Sequence, residues 1–307
     1  GSEMCIRDRY GPVRKESKSV IQLKEGELLS NHTTFRIGGA AKYFAVPKNE
    51  EEIMEAVDFA IVKGLPHYIL GKGSNVLFPD EGYSGVVIEI GAGMEKVERI
   101  GDTGIRAQAG VSLSSLAAFA AREGLAGLEF AGGIPGTLGG AVTMNAGAYG
   151  GEMKDVIVSA KVMDEDGGVK VLSCDELELG YRTSIVQKKQ LIVLEAEFSL
   201  QPGETEAIQS TMKELNAKRR EKQPLEYPSA GSTFKRPEGY FAGKLIEDAG
   251  LRGYRVGDAQ VSEKHCGFVV NRGKATCAEV LQLIEEVQKK VKEQFGVQLE
   301  PEVRIIR

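Results

Sequence analysis

Between Gly127 and Gly151 the chain reads GLEFAGGIPGTLGGAVTMNAGAYGG, nine glycines in twenty-five positions with no lysine or arginine. A stretch so poor in Cβ atoms has little intrinsic preference for helix or strand, and its backbone allows close approach. Successive N–H groups can then form a concave site for a phosphate or a flat ring without any formal charge. Tight turns between short strands are the competing reading, since glycine also supplies the positive φ that many turns need. A second turn of the same character, Gly71-Lys72-Gly73-Ser74-Asn75, follows the apolar run Tyr68-Ile69-Leu70. Two such segments in one chain point to a nucleotide-type cofactor.

The chain has 307 residues, enough for two or three domains, and 42% hydrophobic residues to fill their cores. A net charge of −5 argues against a nucleic-acid partner, which calls for a dominant basic face. Cys5, Cys174, Cys266 and Cys277 form no CxxC pair, and His32, His67 and His265 show no metal-ligand spacing, so neither a disulfide framework nor a metal site is predicted. No apolar run reaches the ~20 residues needed to span a bilayer, and the amino terminus lacks a signal-peptide core. We therefore expect a cytoplasmic protein that is not inserted in a membrane, with residues 1–16 as a disordered leader.

Apolar periodicity predicts a helix over 50–63 ending at Gly64, and a second helix capped by Ser112 with Leu113, Leu116, Ala117 and Ala120 on one face and Gly124 at its end. Strands are expected at 66–70 and 85–90. A hairpin is expected with 156–163 and 169–172 flanking Asp164-Glu165-Asp166-Gly167-Gly168, and a long alternating strand at 191–200. Gln201-Pro202-Gly203 then breaks the chain. A helix over about 205–222 follows, and a domain boundary is placed near 203–224. Thr276-Cys277-Ala278-Glu279 reads as a capping box opening a helix whose stripe is Val280, Ile284, Val287, Val291 and Phe295. The last element expected is a strand, Glu300–Ile306.

Neither a P-loop nor the dinucleotide fingerprint GxGxxG occurs in the two glycine-rich segments, and no GxSxG elbow supports a hydrolytic triad. Three polar motifs from distant parts of the chain remain: Tyr181-Arg182-Thr183-Ser184, Gly231-Ser232-Thr233-Phe234-Lys235-Arg236-Pro237 and Leu299-Glu300-Pro301-Glu302-Val303-Arg304. Brought together, an arginine, a hydroxyl and a carboxylate could grip a substrate carboxylate and exchange one proton with it. Taken singly, each reads as an ordinary surface ion pair, turn hydroxyl or edge-strand charge.

These segments together resemble the UDP-N-acetylenolpyruvoylglucosamine reductase family, also called UDP-N-acetylmuramate dehydrogenase. The resemblance runs from about residue 20 to 307, through NHTTFRIGG (31–39), LGKGSNVLF (70–78), GIPGTLGGAVTMNAGAYGGE (133–152), YRTSI (181–185), QPLEYPSAGSTFKRP (223–237), AGKLIEDAGLRG (242–253) and LEPEVRII (299–306). It implies an α+β architecture: a vanillyl-alcohol-oxidase-type FAD-binding fold of two subdomains, 17–84 and 85–203, then a substrate-binding domain over 204–300 and a terminal strand, 301–307, carrying the catalytic Glu302.

The family pattern implies non-covalent FAD against Gly71, Lys72, Gly73, Ser74, Asn75, Gly133, Ile134, Pro135, Gly136, Gly139, Gly140, Asn145, Ala146 and Gly147, with NADPH as reductant. The UDP-sugar substrate would receive hydride at C3 of its enolpyruvyl group and a proton at C2 from Ser232. Arg182 and Glu302 match the pair that polarises its carboxylate. Arg304 resembles a substrate contact, with Tyr149, Tyr181, Lys235 and Asn271 as further candidates for the nucleotide sugar. The compact stretch between Leu225 and Gly243 leaves no room for the tyrosine-bearing loop of longer members, which implies the shorter subclass, with 227–243, including Tyr227 and Tyr240, as the expected cover. A sugar or alcohol oxidase on the same flavin fold, and a non-catalytic nucleotide-sugar binder, are the alternatives; a monomer is expected.

Overall fold

The computed structural model describes residues 21–307; the expected leader 1–16 and Cys5 lie outside the described residues. Among the described residues, three sheets of four or five strands and seven helices carry the fold, so the expected α+β architecture is what the chain adopts.

The first sheet has the strand order Leu23–Leu28, Ala40–Ala45, Tyr83–Glu89, His67–Leu70. Its first pair is antiparallel and the other two are parallel. Helix α1 (Glu50–Val62) covers it, capped by Asn49 and burying Ile53, Ala56, Val57 and Ala60 as the apolar stripe requires. Strand Tyr83–Glu89 therefore belongs to this first sheet, which crosses the expected subdomain division at 84/85. Only inside this sheet do its buried Val86, Val87 and Ile88 find partners on both faces.

The second sheet is antiparallel throughout, in the order Val169–Ser173, Ile157–Met163, Ile192–Ser199, Gly104–Gln108, Val97–Ile100. The hairpin turn forms as expected: Asp164 Oδ1 accepts from Gly168 N at 2.7 Å and Gly167 takes φ +77°. Against this sheet lies α3 (Leu138–Met144), which runs through the glycine-rich segment, while α2 (Leu113–Arg122), opened by Ser112, packs on the turn Glu129–Gly133 and on Leu125–Ala126. Short α4 (Ile185–Lys188) follows the Arg182 motif.

Helix α5 (Thr205–Lys222) packs on the turn Glu129–Gly133 and on α2, so it belongs to the second subdomain. The substrate-domain boundary accordingly lies near 223, at the late end of the sequence estimate. Beyond it, an antiparallel sheet (Ser229–Ser232, Phe268–Asn271, Ala259–Val261, Arg255–Val256) carries α6 (Ala242–Asp248) and α7 (Cys277–Phe295). Helix α7 has its capping box and buries Val280, Ile284, Val287 and Val291.

The expected terminal strand Glu300–Ile306 is regular only at Arg304–Ile305, which pairs in parallel with Val76–Leu77 of the first subdomain. Residues 300–303 instead bond to the 233–235 segment: Lys235 N donates to Glu300 O at 2.8 Å, and Glu302 N to Thr233 O at 2.8 Å. The chain end therefore joins two domains. The joint is reinforced by Asn271, whose amide donates to Phe35 O at 3.1 Å, and by Asp80, whose carboxylate accepts from Cys277 N at 2.7 Å and Ala278 N at 3.0 Å.

Asp80 thus supplies a second cap to α7 from another domain, satisfying N–H groups that no intrahelical carbonyl reaches. Asp80→Ala is expected to lower stability by about 1 kcal/mol in urea unfolding, while Glu81→Ala next to it leaves stability unchanged; equal effects at both positions would contradict the capping role.

Candidate functional site

The two glycine-bearing segments face one another. A Cβ on Gly71 would lie 2.4 Å from Thr137 Oγ1, and one on Gly136 would sit 3.6 Å from Ser74 Oγ. Gly71 and Lys72 line a cavity of about 390 Å³ together with His32, Gly91, Gly110 and Thr137. Gly73 adopts φ +59° with its backbone against His32, where any Cβ would meet His32 O at 2.2 Å. The groove suits FAD on these grounds: its wall includes the bare backbone of Gly71, Gly91 and Gly110, with Lys72 exposed at its edge.

Other glycines of the same segment serve packing, as the turn reading supposed. Gly133 approaches Asn216 on α5, Gly139 lies on the Ala109 backbone, and Gly147 abuts Glu152. Ile134 leans on the core, Pro135 is exposed and Ala146 is buried. Asn145, 1% exposed, ends α3 at φ +47° with its amide spent inside the protein: Nδ2 donates to Glu152 and to Gly180 O at 3.1 Å, and Oδ1 accepts from Lys154 N at 3.0 Å. It is a brace between the glycine-rich segment and the Arg182 turn, not a side chain open to a ligand.

That brace matters because Arg182 holds an unusual backbone, φ +54°. The turn is closed by paired bonds between Gly180 and Thr183 at 3.1 and 3.3 Å, and Ser184 Oγ ties it to α3 by donating to Thr143 O at 2.6 Å. With the Gln187 amide oxygen turned toward Arg304, Gln187 accepts from Arg304 Nη2 at 3.0 Å and donates to Arg182 O at 3.2 Å. So restrained, the guanidinium places Nε 2.9 Å from Glu302 Oε1. The N–H does not point at that oxygen, so the contact is an ion pair at close range rather than an aligned hydrogen bond, and this buried donor keeps capacity for another acceptor. Burial of Glu302, whose side chain is 9% exposed, pushes its carboxyl above the ordinary range, and Arg182 only partly opposes this.

Ser232 reaches the same place through a local irregularity. The register with Phe268–Asn271 shifts between Ser229 and Ser232, where Gly231 takes φ +74°. Beyond it the strand leaves one partner for another: Thr233 N donates to Gly267 O while Thr233 O accepts from Glu302 N. Ser232, Arg182 and Glu302 consequently line one cavity of about 340 Å³, with Tyr181, Arg236 and Phe241. It is tied to the Gly71–Asn75 turn by Asn75, which donates from Nδ2 to Glu302 O at 3.2 Å and accepts from Arg304 N at 3.1 Å.

Among the other candidates, Tyr181 lines this cavity, its hydroxyl accepting from Arg236 N at 3.0 Å. Lys235 pairs with exposed Glu300 at 3.3 Å outside it, which separates the two glutamates that alternation placed on one face. Tyr149 stands exposed near Lys218 and Arg219. Asn271 is not available to a substrate: besides Phe35 O, its amide serves Gly273 N and Ala275 N, and it is 3% exposed. In the expected cover, Tyr227 lies under the Arg272 guanidinium at 4.3 Å, so it is an anchor; the cavity rim is formed by Phe241, stacked under Arg236 at 4.0 Å. Sequence reasoning missed Thr137, Gln187, Arg236 and Phe241; a threonine before two glycines is a capping signal that could have drawn attention to the first.

Comparisons with known proteins place the chain in a family. Profiles for an FAD binding domain match residues 41–173, and for the C-terminal domain of UDP-N-acetylenolpyruvoylglucosamine reductase residues 223–306. The UDP-N-acetylenolpyruvoylglucosamine reductase of Agathobacter rectalis is 56% identical over 93% of this chain and 94% of its own length. The chain belongs to this reductase family. The same-named protein of Lachnoclostridium phytofermentans is 53% identical over 96% of this chain and 97% of its own. The crystal structure of the Thermus caldophilus reductase superposes with a TM-score of 0.80 at 36% identity, covering 94% of this chain and all of that one. Membership makes the protein an FAD-dependent oxidoreductase, in line with the fold expected from the motifs.

Two outcomes follow from the geometry. Gly71→Ala, which forces a Cβ against the stiff Thr137 side chain, should weaken FAD binding at least about tenfold, a loss of ~1.4 kcal/mol, with unchanged far-UV circular dichroism; unaltered affinity would refute the close approach. Because the folded Glu302 carboxyl titrates above its ordinary 4.5, the folded state binds more protons than the unfolded one in that window. Wild-type stability relative to Glu302→Gln should therefore fall as pH rises from below 4.5 through the folded titration; a pH-independent difference would contradict it.

Proposed function

We propose that the protein reduces UDP-N-acetylglucosamine enolpyruvate to UDP-N-acetylmuramate, a step of peptidoglycan precursor synthesis, with non-covalent FAD as cofactor and NADPH as reductant. The observation that carries this reading is the convergence of Arg182, Ser232 and Glu302 on one cavity beside the glycine-lined groove. The names of the relatives supply the substrate. FAD bound in the groove supplies the two-electron chemistry, with C3 of the enolpyruvyl group as acceptor.

The chain's own residues then act on the other end of the double bond. The Arg182 guanidinium, on the cavity wall, holds the substrate carboxylate and meets charge that develops there as C3 is reduced. Glu302, whose carboxyl burial pushes above the ordinary range, stands beside Arg182 against the same carboxylate. Ser232 gives its proton to C2, an apt donor because the acceptor carbon is strongly basic at that stage. Arg236 on Phe241 forms the rim that covers the substrate in this shorter subclass. His32 supports a non-covalent cofactor, since both its ring nitrogens face carboxylates. In this reading the enzyme works as a monomer in the cytoplasm. Among the described residues no helix is long and apolar enough to cross a membrane.

Anaerobic stopped-flow absorbance separates the steps. Ser232→Ala should leave flavin reduction by NADPH unchanged and slow reoxidation by the enolpyruvate substrate by about 100-fold or more; equal reoxidation rates would remove Ser232 from the proton-transfer role.

A further inference from the structure

Helix α5 ends in a run of cations, and one of them is placed unlike the rest. Lys213, Lys218, Arg220 and Lys222 are exposed, while Arg219 is turned inward and half-buried. Its stem lies on the glycine-rich segment: a Cβ on Gly133 would sit 3.3 Å from Arg219 Cδ and 2.4 Å from Asn216 Oδ1. Among the described residues no carboxylate and no hydrogen-bond acceptor meets the guanidinium. Burial pushes it below the ordinary arginine range, with only the Tyr149 phenol opposing.

Gln223 closes the helix one turn later. Its backbone N–H donates to Arg219 O at 2.9 Å, so the two side chains share one face. Gln223 Oε1 is buried with no donor in reach. A buried cation without an anion and a buried acceptor without a donor are each costly. Two such groups, one turn apart on a helix whose other charges are solvated, mark a place kept for a ligand.

The pair also specifies what that ligand presents. A phosphate or carboxylate would satisfy Arg219 but set another acceptor against Gln223 Oε1. An edge carrying a carbonyl next to an N–H satisfies both, and a cyclic imide has that edge. Two imides belong to the proposed reaction, the pyrimidine ring of the flavin and the uracil of the sugar nucleotide. Position favours the flavin. Gly133 is three residues, at most about 10 Å of chain, from Gly136, where a Cβ would sit 3.6 Å from Ser74 Oγ of the Gly71–Asn75 turn. At the same helix end, Arg220 O accepts from Lys264 Nζ at 2.7 Å, and Lys264 lines the Ser232 cavity. The end of α5 therefore reaches both the glycine-rich segment and the substrate cavity, where a ring that passes electrons from one to the other must lie.

We propose that Arg219 and Gln223 bind the imide edge of the flavin, the guanidinium at the C2 carbonyl and Oε1 at N3–H, and that Arg219 raises the reduction potential of the bound cofactor. This rests on the reading that the chain holds FAD. Reduction leaves the ring with an acidic N1–H, whose charge on ionisation spreads to the C2 carbonyl. A fixed cation there stabilises the reduced ring more than the oxidised one. Gln223 makes no such distinction, since N3–H is present in both states.

The test combines the dissociation constant of oxidised FAD from the apoprotein, read by flavin fluorescence, with the reduction potential of the bound flavin against a reference dye. Arg219→Met keeps the stem and removes the charge. It should loosen reduced FAD at least about tenfold more than oxidised FAD, which lowers the potential by about 30 mV or more for a two-electron couple. Arg219→Lys, which keeps the charge, should recover most of that loss. Gln223→Leu should weaken oxidised FAD about three- to tenfold and leave the potential unchanged. Because Arg219 has no partner in the protein, Arg219→Met should not lower the urea midpoint of the apoprotein; a lower midpoint with an unchanged potential would make the arginine structural and overturn the proposal. Unchanged FAD affinity and potential in Arg219→Met and Gln223→Leu, with weaker UDP binding to the holoenzyme, would assign the edge to uracil and overturn it as well. Failure of the wild-type apoprotein to bind FAD would instead overturn the cofactor reading on which it rests.

Discussion

The last residues of the chain hold this site together. Arg304 and Ile305 form a parallel ladder with Val76 and Leu77, directly after the Gly71–Asn75 turn, and Asn75 brackets the pair by bonding Glu302 O and Arg304 N. These are backbone bonds or bonds to backbone, and they leave little freedom in how Glu302 is placed relative to the cofactor groove. The other face of the same segment is tied to Thr233, next to Ser232. One extended stretch of six or so residues thereby sets the spacing between the Gly71–Asn75 turn, the Glu302 carboxyl and the Ser232 segment, the kind of preorganisation that the proposed catalysis requires.

Electrostatics then decide what the cluster can do. A buried carboxyl next to an arginine would ordinarily be held ionised by its partner; here desolvation is the larger influence on Glu302, and the 2.9 Å contact with Arg182 Nε only partly opposes it. The pair is close enough to feel each other and not so well aligned that they saturate each other. Arg182 is kept in its left-handed backbone by Asn145, Ser184 and Gln187, none of which lies on the cavity wall. Restraint of that kind is where backbone strain is stored when a side chain must be presented at a fixed angle.

Much of this was legible in the sequence. Helices α1, α2 and α7 followed from apolar periodicity, the last two with Ser112 and Thr276 capping chemistry that acts locally, while α5 followed from the break at Gln201-Pro202-Gly203 and the 157–173 hairpin from its Asp/Gly turn. The ordered motifs pointed to Arg182, Ser232 and Glu302, but spacing alone could not bring them together, because their proximity depends on ladders between residues more than fifty positions apart. Alternation failed at Glu300 and Glu302 since the segment is anchored on two different partners and only its last residues form a strand. Asn271 and Asn145 looked like polar groups offered to a ligand; their bonds run to Phe35, Gly273, Ala275, Gly180 and Lys154, partners a linear reading does not reveal. The expected division at 84/85 cut through the first sheet because a parallel strand gives no local sign of which sheet will accept it.

The central claim is that groove and cavity form a single reducing site for an enolpyruvyl sugar nucleotide. Its most direct test is the visible flavin absorption of the FAD-loaded wild-type protein, bleached anaerobically with NADPH and mixed with UDP-N-acetylglucosamine enolpyruvate. The account predicts rapid recovery of the band with formation of UDP-N-acetylmuramate and no recovery with UDP-N-acetylglucosamine alone. A band that stays bleached with the enolpyruvate, and returns only when oxygen is admitted, would contradict it.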